Sequence, residues 1–115
     1  KDGKEPVILE VTPRLDGCHM WNLIKHYCGA DLLEACFRQL LEGESVLDGE
    51  YSMPREEYSL IFMSREPNTK FSKADFDTEG AEYVCYYYND GDRVLKINGY
   101  MEKCGYIIRK TGRTI

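Results

Sequence analysis

The sequence predicts an α+β fold: an antiparallel sheet of about four to five strands, with two helices (or one kinked helix) packed on one face. Three observations predict it. Residues 81–110 read as two β-strands around Asp90-Gly91, with a third strand behind them. Residues 18–43 carry apolar positions at helical spacing, interrupted at Gly29. The helical signals come early and the strand signals late, which is the order of segregated α+β chains rather than of alternating βαβ units. The expected element order is β-α-α-β-β-β-β.

The first element is a short β-prone run over 6–11, with Pro6 at its start, where no ladder N–H is lost. Pro13 and Asp16-Gly17 then mark a turn. Over 18–28, Met20, Trp21, Ile24, Tyr27 and Cys28 form one stripe, and Gly29 is placed to cap the helix end. Asp31 opens a second helix. Its carboxylate, with Glu34 three residues on, makes a capping-box-like pattern. Leu33, Cys36, Phe37, Leu40 and Leu41 form the apolar face of that helix, and Gly43 ends it. The run 58–63 alternates Tyr58, Leu60 and Phe62 and reads as a strand. Glu66-Pro67-Asn68-Thr69 is a turn, and 72–75 can cap one short helical turn. The order resembles that of cystatin-like folds, in which a helix is wrapped by a curved sheet; the likeness is one of element order alone.

The late strands carry the sharpest expectation. Asp-Gly in a two-residue loop favours a type I′ turn, which needs positive φ at both central residues. With Asp90 and Gly91 as the loop, Val84, Tyr86, Tyr88, Leu95 and Ile97 share one face, and Tyr83, Cys85, Tyr87, Val94, Lys96 and Asn98 share the other. The first set is the more apolar and is assigned to the core. Asn98-Gly99 marks a second turn, and 105–110 supplies the last strand.

Length and composition bound the function. A chain of 115 residues is one domain, 1–115, with room for a single core. Its 43% hydrophobic and 30% charged residues are those of a globular protein, and no apolar run is long enough for membrane insertion. The net charge of -5 argues against a nucleic-acid partner, and also against reading the two adjacent helices as a DNA-binding pair.

Candidate chemistry is sparse. The five cysteines show no C-x-x-C spacing. Cys28 and Cys36 lie on apolar stripes, while Cys18, Cys85 and Cys104 lie in more polar surroundings and are the disulfide candidates. His19 and His26 stand near Cys18 and Cys28, but those two thiols flank the helix at opposite ends, too far apart for one zinc ion. Asp75, Asp77 and Glu79, followed by Gly80, match the first half of a calcium loop. Its second half fails, because Tyr86 stands where a bidentate carboxylate is required. Neither a metal nor a cofactor is expected.

Six of the nine tyrosines fall in 83–106. Tyrosine offers large contact area at small entropic cost, although it also simply favours strands. The leading expectation is a non-catalytic interaction module that contacts another protein through Tyr83, Tyr87, Tyr100 and Tyr106. A second is a small-ligand pocket between helices and sheet, lined by Trp21, Phe37, Phe62 and Tyr86. A third is a Cys/His enzyme, which needs a thiol within hydrogen-bond reach of His19 or His26.

Overall fold

The computed structural model of the protein describes residues 3, 8, 10, 11, 14–47 and 49–114. It contains two α-helices, α1 (Met20–Cys28) and α2 (Leu32–Glu42), and three strands, β1 (Glu56–Arg65), β2 (Tyr83–Tyr86) and β3 (Glu102–Thr114). A single 3₁₀ turn, Lys73–Asp75, lies between β1 and β2.

The helices are separate, and the local chemistry shows why. Gly29 takes φ 85° and its N–H bonds the Lys25 carbonyl, which closes α1. Asp31 then caps α2, accepting the Glu34 N–H at 3.0 Å, and Gly43 at φ 71° ends it. The start of α1 is unusual. His19 sits at the N-cap in a left-handed conformation, φ 62°, and its side chain makes no cap bond. Asp16 serves in its place, its two carboxylate oxygens taking the N–H groups of Cys18 and Met20.

The sheet is antiparallel in the order β1-β3-β2, so the last strand lies in the centre. It has three strands among the described residues, not four or five. The early run 6–11 lies largely outside the described residues; Ile8 and Val11, which are described, are exposed and belong to no strand. The expected hairpin also differs. A turn does form at Asn89–Asp92, closed by the Asp92 N–H on the Asn89 carbonyl. Only Gly91 has positive φ there, so the turn is not type I′ and does not fold 93–98 back onto 83–88. Instead β2 pairs with β3. The segment after the turn pairs with the earlier connection: Val94 N–H bonds Thr69 O, Asn68 N–H bonds Val94 O, and Phe71 N–H bonds Asp92 O. This arrangement buries Phe71 and Val94 almost completely, and it leaves Leu95 and Ile97 exposed. The expected register put Leu95 and Ile97 inside and Val94 outside; the packing of Val94 against Phe71 and Cys104 overrides it.

Strand pairing fixes which side chains share a face. Phe62, Tyr106 and Cys85 stand in one cross-strand row, as do Leu60, Ile108 and Tyr83. These rows face α1, which packs on β1, while α2 packs on α1. Met63, Gly105 and Tyr86 form a row on the opposite face. That face is covered by Phe71, Phe76, Tyr88 and Val94 from the two connections between strands. A bulge interrupts the pairing: Met63 opposes Gly105 and Ser64 opposes Lys103, so Cys104 is the extra residue. Below the bulge the faces exchange. Cys104 enters the Phe71–Val94 core, and the Lys103 ammonium lies 3.8 Å over the Phe62 ring on the helix side. Gly105 is required here, since a Cβ would collide with the Cys85 carbonyl and lie 2.7 Å from Met63 Cε.

Candidate functional site

Tyr83, Tyr87 and Tyr106 were expected on a free sheet face, but α1 covers much of it. Tyr106 is 2% exposed, with its hydroxyl accepting the Asn22 Nδ2–H at 2.9 Å. The His19 imidazole stacks on its ring, centroids 4.3 Å apart and planes 13° off parallel. Burial pushes the Tyr106 phenol up to about 12, with the Asn22 hydrogen bond opposing. The left-handed backbone at His19 lets its ring lie over the sheet, where Nε2 is 2.7 Å from the Tyr87 hydroxyl. Tyr83 is half-buried against His26, whose Nδ1 donates to the Asn22 carbonyl at 2.9 Å.

The four tyrosines therefore do not make one contact surface. Tyr106 is sealed beneath the helix and cannot touch a partner, which corrects its expected role. Tyr87 remains 42% exposed, and partial desolvation raises its phenol pKa. Tyr100 is 84% exposed and lies apart, beyond the turn at 97–99. That turn is built around Glu102. One oxygen of this buried carboxylate accepts the N–H groups of Ile97, Asn98 and Gly99 at 2.8, 2.8 and 2.9 Å. The three backbone donors, Gly99 foremost, hold its pKa below the ordinary glutamate value.

The expected ligand pocket is not assembled. Phe62 and Tyr86 point to opposite faces of the sheet, so one cavity cannot be lined by both. Phe37 projects from α2, and Trp21 is half-buried on α1. Cys85 and Cys104 likewise lie on opposite faces, which excludes the bridge between them. All five thiols are free. Cys18 is exposed with the Lys103 ammonium 3.9 Å from its sulfur. Among the described residues no thiol is hydrogen-bonded to His19 or His26, so the geometry that a Cys/His enzyme needs is not formed. The acidic loop is engaged otherwise as well. Asp75 pairs with Arg65 and Asp77 with Arg109, and Asp77 also accepts the Glu79 N–H. Those guanidinium partners compete with any calcium ion for the same oxygens.

The feature that sequence reasoning placed wrongly is the apolar face of α2. Phe37, Leu40 and Leu41 are 56%, 80% and 81% exposed. Only Ala35 of this helix is buried. Beside them Cys36 and Leu40, with Val46 and Leu47 from the following segment, line an open groove of about 360 Å³. The stripe was legible as apolar, but periodicity cannot say whether a stripe meets the chain's own core or something else. Comparison with family models, with curated proteins and with solved structures finds no match to this chain.

Proposed function

We propose that this protein is a non-catalytic protein-binding module, and that its contact surface is centred on α2. The observation that carries the reading is the bare stripe Phe37, Leu40 and Leu41, contiguous with the groove formed by Val46 and Leu47. Single exposed apolar residues are ordinary, but a contiguous apolar helix face beside a groove is the form of a helix-docking surface. Tyr87 and Tyr100 offer further exposed aromatic area outside this stripe. The sealed Tyr106, the split Phe62 and Tyr86, and imidazoles bonded to Tyr87 and the Asn22 carbonyl rather than to a thiol support neither a ligand pocket nor nucleophilic chemistry.

The test places a photo-reactive side chain on the stripe. Leu41→benzoylphenylalanine, irradiated in a lysate of the source cells, is expected to give discrete adducts of higher mass. The same residue at Glu50, which is exposed and polar, is expected to give none of them. Identical patterns from the two positions would overturn the assignment. As a folding control, Leu40→Ser with Leu41→Ser is expected to cost no more than about 1 kcal/mol, because both side chains are already in water and only helix propensity is lost.

A further inference from the structure

We infer that the α2 groove takes a cationic amphipathic helix, a segment with Leu- or Phe-type anchors on one side and Lys or Arg flanking them. This rests on the reading of α2 as the contact surface and goes on to name the partner's chemistry. The anchors follow from the groove walls, which present Cys36, Leu40, Val46 and Leu47. The charge follows from the rim. Glu34, Glu42 and Glu44 lie along and just after α2; Arg38 is shared between Glu34 at 3.4 Å and Glu44 at 3.9 Å, and the Lys25 ammonium stands near Glu34.

Glu42 stands in the last turn of α2, where no basic residue is present. A carboxylate there opposes the helix dipole, whose negative end it meets. Glu44 follows directly after the Gly43 cap. The C-terminal end of α2, beside the groove, is thus negative from three sources: Glu42, Glu44 (partly offset by Arg38 at 3.9 Å) and the carbonyl end of the helix. A positively charged partner residue relieves all three at once. The same rim disfavours the alternatives. A second copy brings an equal excess of carboxylates to the contact, and an anionic lipid surface is repelled by it.

The test uses the whole chain and two synthetic amphipathic peptides of matched length, one Leu/Lys and one Leu/Glu, followed by fluorescence anisotropy. The Leu/Lys peptide is expected to bind, with affinity falling as salt rises. Glu42→Gln with Glu44→Gln is expected to weaken it about three- to tenfold. Leu40→Ser with Leu41→Ser is expected to weaken it by more than about tenfold. The control pair Glu66→Gln with Glu79→Gln, which removes the same charge from exposed sites off α2, is expected to leave binding unchanged. Equal loss in that control would show mere attraction to an acidic protein and would overturn the inference. So would equal binding of the Leu/Glu peptide while the leucine substitutions still matter; the surface would then stand and the partner's charge would not. Indifference to Leu40→Ser with Leu41→Ser in both peptides would remove the surface itself. A dimer in sedimentation velocity that the leucine substitutions disperse, or binding to vesicles of anionic lipid, would assign the stripe to a second copy or to a membrane and likewise overturn it.

Discussion

Tyr106 accepts a hydrogen bond from the Asn22 amide beneath α1, and both side chains are sealed from water. Removing the hydroxyl leaves the Asn22 amide with an unmet donor in a dry place. Tyr106→Phe is therefore expected to cost about 1–3 kcal/mol, measured by urea denaturation. Adding Asn22→Leu is expected to cost less than the sum of the two single changes, since no orphaned donor remains. Glu102 acts through the backbone. Its pKa is lowered on folding, so its stabilisation is complete above the ordinary value of 4.5 and is lost as pH falls through the lower folded value. Glu102→Gln is expected to lower the urea midpoint at pH 7. The gap between variant and parent should shrink at pH 3, in the window below the ordinary glutamate value. Neither role was legible in the sequence. Asn22 stands between apolar residues of a helical stripe with no local pattern to mark it. Glu102 meets its three donors only because 97–99 fold back over the start of β3.

At the scale of elements, what depends on neighbours in the chain was readable. Gly29, Asp31 and Gly43 act within one helical turn of themselves, and each bounds its helix where expected. Asp31 also holds Lys25 at 2.6 Å, and the Glu34 N–H followed by that ammonium lowers its carboxyl pKa. Asp31→Ala is expected to destabilise the protein by about 1 kcal/mol and to reduce the far-ultraviolet helix signal. Strand partners were not readable. The Asp90-Gly91 turn is a local event, but whether the chain beyond it pairs with 83–88 or with 68–71 is decided by distant packing. Phe71 and Val94 fill the space beside Cys104, and that pairing outcompetes the hairpin. The central strand wins its place by the same logic. Gly105, Tyr106, Ile107 and Ile108 are all buried, and they are paired on both sides, with the long β1 on one and the short β2 on the other.

Across the whole molecule, the sheet is covered on one face by α1 and on the other by side chains from its own connections, and α2 remains outboard. The cysteines report this layering. Cys18 and Cys36 are exposed, Cys28 and Cys85 are half-buried, and Cys104 is fully buried with burial pushing its thiol pKa up. Timed alkylation of the native protein, read by mass spectrometry, should label Cys18 and Cys36 first. Cys104 should be labelled only at the rate of unfolding. Fast labelling of Cys104 would mean that the Phe71–Val94 layer opens readily. The α+β class was legible because the helical periodicity and the turn chemistry are local; the outboard place of α2 was not, because an apolar stripe looks the same whatever covers it.

The unpaired Cys104 in β3 sets the chain's tolerance to changes of length. Excising that one amino acid would restore an unbroken ladder with Lys103 still opposite Ser64, but it would remove the carbonyl that accepts the Tyr87 N–H and leave a gap beside Phe71 and Val94. Cys104→Ala keeps the spacing and only trims volume. Of the two edits, the shorter backbone should be by far the more harmful, although each touches a single codon.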